Sequence, residues 1–143
     1  MLLSVFEKIL VPLDGSEHSL NALEKAVQIA KKFDGKITLI NVYSVSSFRM
    51  TPSQVFAYVV ELRKSGESIL AEGKKIAWDE GIQVETLLKE GHIVEEILQK
   101  VRDGNFDLIV MGARGISKMK EILLGSVSHG VTTHAPCPVL VVK

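Results

Sequence analysis

Cysteine is almost absent from this chain. Cys137 stands alone, so no intrachain disulfide can form, and such usage fits a reducing compartment. There is no surplus of one charge sign either: 17 Lys and Arg balance 17 Asp and Glu. That removes the basic footprint expected of a nucleic-acid partner. No apolar run approaches the ~20 residues of a membrane span. The opening stretch MLLSVFEKILVPLDG is apolar but short, lacks a basic start and is interrupted by Glu7, so no signal peptide is expected. There is no linker, no low-complexity tract and no repeat beyond a strand–helix unit. The expectation is a cytoplasmic protein without membrane attachment, built as one domain over residues 1–143, with ordinary globular shares of apolar (46%) and charged (24%) residues.

Four apolar runs are present: KILVPLD (8–14), KITLINVY (36–43), FDLIVMG (106–112) and CPVLVVK (137–143). They are rich in Val, Ile and Leu and do not alternate with polar residues, as strands covered on both faces do not. A fifth run, IQVETLLKE (82–90), alternates more and reads as half exposed or near an edge. Helical spacing fills the gaps. Residues 16–33 carry Leu20, Leu23, Val27 and Ala30 on one face, with Ser16 or Glu17 at the start and Asp34-Gly35 at the end. Residues 53–80 form a long, more polar helix that stops before Gly81. A short helix opens at Gly91-His92 with Ile93, Ile97 and Val101 aligned and ends near Gly104, and 126–134 form the last, stopped by Pro136.

Alternation of strand and helix implies an α/β fold with a parallel sheet, right-handed crossovers and helices on both faces. Ligands of such folds sit beyond the carboxyl ends of the strands, where strand order reverses. Leu13 to Ser16, Val42-Tyr43 and Gly112 to Gly115 leave strands at that edge. The irregular stretch SVSSFRMTP (44–52) is placed to lie over the site or at an interface.

Glycine is concentrated near the end of the chain, in MGARGISKMKEILLGSVSHG (111–130). Gly112 and Gly115 allow a sharp turn and bring bare amides close to a ligand. Gly125 and Ser126 then put more amides at a helix start, where donors lack partners and the helix dipole adds positive charge. Together they make an anion site, with Ser126 able to cap the helix and to donate its hydroxyl. The alternative is an ordinary connection with turn glycines.

GARGISKMKEILLGS matches the pattern G-x2-G-x9-G-[ST], and so resembles the ATP-binding signature of the universal stress protein family. KILVPLDGSEHS resembles that family's opening, and HAPCPVLVVK its closing strand. The resemblance covers essentially the whole chain. It implies a three-layer α/β/α, Rossmann-like, open twisted five-stranded parallel sheet, related to the adenine nucleotide alpha hydrolases, in strand order 3-2-1-4-5. It implies ATP, with Mg2+ or Mn2+ held through the phosphates, as ligand. Asp14 then lies near ribose and phosphates, and the main chain at Val42 contacts adenine. Gly112, Ala113, Arg114 and Gly115 line the ribose and phosphate path, and Gly125, Ser126, Val127 and Ser128 hold the triphosphate. Pro12, Leu13, Ser16 and Met111 complete the candidate set. The resemblance further implies a homodimer through the last strand (Pro138, Val139, Leu140, Val141, Val142), a nucleotide-dependent regulatory role in stress response and a downstream protein partner.

Other residues carry plainer readings. Asp14 can instead cap the first helix, and Ser16 suits a cap better than a ligand. His18, His92, His129 and His134 have no metal-ligand spacing. Cys137, between two prolines, reads as a small buried hydrophobe. Glu95-Glu96 point about 100° apart and make no catalytic pair. The charged helix around residues 61–81 reads as a solvated face, with Ile76 and Trp78 anchoring it to the sheet. Ile122, Leu123 and Leu124 suit a partner surface or packing under the loop. Slow ATP hydrolysis is the enzymatic alternative, yet no GxxxxGK[ST] pattern occurs and Asp14 is the sole acidic candidate. A receiver-type phosphoacceptor is disfavoured because the third strand ends in LLKEGH without Asp.

Overall fold

The computed structural model describes residues 5–114 and 124–143. Nine elements follow one another: β1 (Lys8–Pro12), α1 (Glu17–Phe33), β2 (Lys36–Tyr43), α2 (Pro52–Asp79), β3 (Val84–Glu90), α3 (Ile93–Gly104), β4 (Leu108–Gly112), α4 (Ser126–His134) and β5 (Val139–Val142). The strands form one parallel sheet in the order β3-β2-β1-β4-β5. The expected topology is therefore present, and the half-exposed third run is an edge strand.

Two apolar layers sandwich the sheet. Ile9, Val11, Leu13, Ile37 and Leu39 point towards α1 and α2 and are shielded by Ala22, Leu23, Ala26 and Leu70. Leu10, Ile40, Ile109 and Met111 point the other way, against Ile97, Val101 and Val131. The strict two-residue alternation of a strand divides each apolar run between the two cores.

Local chemistry sets the helix ends. Thr51 and Gln54 form a capping box, with Pro52 in the first turn, so α2 begins one residue earlier than its spacing suggested and the irregular connection ends at 51. Asp34 and Asn105 adopt left-handed φ values of 55° and 53° and close α1 and α3. α2 has 28 residues, about 42 Å of helix, whereas the eight residues of β2 span about 26 Å. Its buried positions are Gly66, Leu70, Gly73 and Ala77, so its first half runs past the carboxyl edge of the sheet.

That face corrects one expectation. Ile76 does pack on the core, but Trp78 is 62% exposed and anchors nothing. The sheet-facing line runs 66–70–73–77, and the residue after Ala77 is turned about 100° away from it. Glycines make that contact close: a Cβ on Gly66 would lie 2.5 Å from Leu88 Cδ1 and 2.6 Å from Asn41 Oδ1. Cys137 is half-buried beside the second core. Burial first, and the Asp107 carboxylate second, raise its thiol pKa.

Candidate functional site

Two strand-to-helix turns face each other at the carboxyl edge, after β1 and after β4. In the first, Leu13 is tied to β2 twice: its N–H donates to Ile40 O (2.9 Å), and its carbonyl accepts from Asn41 Nδ2 (2.8 Å). Gly15, at φ 85°, turns the chain. Asp14 Oδ1 accepts from the Ser16 amide at 2.9 Å, and Ser16 Oγ accepts from the Ser19 amide at 3.2 Å. Ser16 is therefore the α1 cap, and Asp14 braces the turn leading into it.

The second turn is built differently. Ala113 is the knot: its N–H donates to Val142 O (2.7 Å), and its carbonyl accepts the Gly125 N–H (2.7 Å) and the Ser128 hydroxyl (2.6 Å). Those bonds fix the start of α4 against the end of β4. Gly125, not Ser126, is the cap of α4, with no side-chain cap bond to its amides among the described residues; the Ser128 hydroxyl also lies 3.1 Å from Gly125 O. The expected Ser126 cap is thus corrected, since Ser126 occupies the first helical position. The first intrahelical bond of α4 is His129 N to Gly125 O (2.9 Å). The amides of Ser126, Val127 and Ser128 consequently have no acceptor within the helix.

Gly112 has a packing reason of its own. A Cβ there would lie 2.8 Å from the His18 carbonyl carbon and Cβ, and 2.9 Å from the Ser19 amide nitrogen. Its glycine lets the start of α1 come up against the end of β4, which closes the two turns around one cavity.

The cavity holds about 470 Å³, within the range of small-molecule sites. It brings together Pro12, Leu13, Asp14, Val42, Met111, Gly112, Arg114, Gly125, Ser126, Val127 and Ser128 from the sequence-derived set. Ser16 and Ala113 do not line it; both act one step behind, as cap and knot. Gly115, Ile122 and Leu123 lie outside the described residues. Asp14 and Arg114 are the charged side chains on the lining. The rest is mostly aliphatic, so a charge placed there is poorly screened by water.

Sequence reasoning placed Val42-Tyr43 at this edge but missed the α2 wall (Leu62, Ser65, Gly66, Ile69), the α3 wall (Ile93, Ile97) and Asn41. A polar Asn inside the apolar run KITLINVY was the one available signal. Among the described residues, no group of three His, Cys, Asp or Glu is arranged to hold a metal, and no helix is long and apolar enough to cross a membrane.

The model of the universal stress protein family matches residues 6–143. The chain belongs to the universal stress protein family. Its relatives include universal stress protein YxiE of Bacillus subtilis, 36% identical over 148 residues, covering 97% of this chain and 100% of that one. A universal stress protein of Methanocaldococcus jannaschii is 39% identical over 142 residues, covering 98% and 84%. Among solved structures, a universal stress protein in complex with cAMP superposes with a TM-score of 0.75 at 27% identity, covering 98% of this chain and 99% of that one.

Proposed function

We propose that this universal stress protein binds ATP at the carboxyl edge of its sheet and works as a nucleotide-dependent switch in stress response. One observation carries the reading: the first turn of α4, whose three amides lack helical acceptors, lines a cavity that also holds Arg114 and Asp14. An anion of high charge is the ligand such a donor set suits, because amides, helix dipole and guanidinium all act in the same direction. The relative solved with cAMP supports an adenine nucleotide as the class.

In this reading the base lies against Pro12, Val42 and Met111, with the Val42 main chain meeting adenine. The phosphates lie along Gly112, Arg114, Gly125, Ser126 and Val127, and Asp14 lies beside the ribose. Ser128 holds the cradle through its bond to Ala113 while offering its amide. Gly115 belongs to the same phosphate path by the spacing of the glycines. Mg2+ or Mn2+ fits as a passenger of the phosphates, with Asp14 the carboxylate at hand. A lone carboxylate suits holding ATP more than turning it over, and slow hydrolysis is the second reading.

A switch requires that ligand and partner favour the same state of the surface around the cavity. The second copy of the chain joins at β5, whose outer edge pairs with no other strand among the described residues and whose Leu140 is 39% exposed. The fold class and ligand fit a cytoplasmic protein.

Calorimetric titration with Mg-ATP tests the central claim: saturable one-to-one binding is expected, and no heat at millimolar ligand would overturn it. Phosphate release under excess Mg-ATP separates holding from hydrolysis. Sedimentation of Leu140→Lys, expected to shift a dimer to monomer, tests the β5 contact.

A further inference from the structure

The cavity crosses the crest of the sheet, and the nucleotide as placed above uses one side of it. Pro12, Val42, Met111 and Val127 belong to the α3/α4 face, together with the first-turn amides of α4. Alternation along the strands sends Leu13, Asn41 and Tyr43 to the opposite face, where Leu62, Ser65 and Ile69 of α2 complete a second lobe of the same cavity. Leu13 and Ile69 are part of the α1/α2 core layer, which fixes the side.

We propose that this α2 lobe receives an apolar group carried on the sugar of the bound nucleotide. The proposal rests on the nucleotide reading and deepens it. Leu13, Leu62 and Ile69 give the lobe aliphatic walls. The polar groups at its border are partly engaged: Asn41 Nδ2 donates to Leu13 O, and Arg63 Nη1 donates to the Tyr43 hydroxyl at 3.1 Å. Against the three aliphatic walls an apolar guest gains burial. The sugar is the part of the ligand that meets this lobe. It joins base to phosphates beside Asp14, and Asp14 follows Leu13, the residue on the lobe's near wall. A compact acyl or aromatic substituent on a ribose hydroxyl passes from there under α2.

The test is calorimetric titration of the whole protein with Mg-ATP and with Mg-ATP bearing an N-methylanthraniloyl group on its ribose. The substituted nucleotide is expected to bind about tenfold more tightly than ATP, the gain of burying one ring. Ser65→Trp, at an exposed position on the rim of the lobe, lays an indole across it: the gain should vanish while ATP affinity stays within about twofold. Leu62→Ala, which removes a wall and keeps the helix, should cut the gain about threefold, and it decides the matter if the tryptophan variant does not fold. Equal binding of the two nucleotides by the unaltered protein overturns the proposal and leaves the nucleotide reading standing. So does an equal loss of both in Ser65→Trp, which would put ATP itself in the lobe. Failure of both nucleotides to bind overturns the nucleotide reading and this proposal with it.

Discussion

The turns after β1 and after β4 sit side by side and launch parallel crossovers, yet their helix starts are finished in opposite ways. At α1 the chain supplies its own acceptors, with Ser16 taking the Ser19 amide and Asp14 taking the Ser16 amide. At α4 the cap is Gly125, and among the described residues no side chain accepts from the first-turn amides. Ser128, which could have been an acceptor, turns its hydroxyl back to Ala113. One helix start is closed by side chains of its own turn; among the described residues the other has none, and the proposed ligand would take that place. The two turns thus differ in which residue occupies the cap, in a common backbone plan.

The strongest way to break that contrast is to give α4 its own acceptor. Gly125→Asp supplies a capping carboxylate and a negative charge where the phosphates are proposed. Mg-ATP affinity should fall by more than about a hundredfold while the melting temperature holds or rises slightly, since Gly and Asp differ little as caps. Calorimetry and thermal melting read the two effects separately. Next in size is Gly112→Ala. Its methyl meets α1 backbone at 2.8–2.9 Å, and urea unfolding should register a loss of roughly 1–3 kcal/mol, as overpacking does. Removing the first turn's acceptor sharpens the comparison from the other side. Ser16→Ala should cost about 1 kcal/mol of stability, with ATP affinity changed less than about threefold because Ser16 stands behind the cavity. The smallest effect concerns Cys137, away from both turns. Its pKa is raised in the folded protein, so its contribution to stability is complete below the unfolded thiol value, about 8.5, and is lost as pH rises through the folded value. Unfolding curves for the wild type and Cys137→Ala should run parallel at neutral pH and converge in alkali. A gap that widens in alkali would contradict the raised value.

Both turns were legible in the sequence to different degrees. The strands and the glycine spacing are local signals, and they led to the sheet and to the residues on the α3/α4 side of the cavity. The roles of Gly112 and Ala113 were not legible as they stand. Gly112 was assigned to ligand approach, while its missing Cβ is what lets α1 in. Ala113 contributes through its main chain, which any residue has. The α2 wall was hidden for a related reason. Gly66 and Gly73 looked like interruptions in a charged helix, and Trp78 looked like its anchor. Only the sheet beneath shows that the smallest residues mark the contact line and the largest faces water. Contacts between distant elements are set by where side chains are small as much as by where they are apolar.

The near-touch of Gly66 on Asn41 and Leu88 has one more consequence. It sets the height of α2 above the strands, and α2 is the roof of the binding chamber. A methyl at that position begins 2.5 Å from Leu88 Cδ1 and 2.6 Å from Asn41 Oδ1, so those two side chains would have to move aside or the helix would have to rise. Residue 66 is thus a spacer between helix and sheet, set apart from the main-chain knot that holds the start of α4.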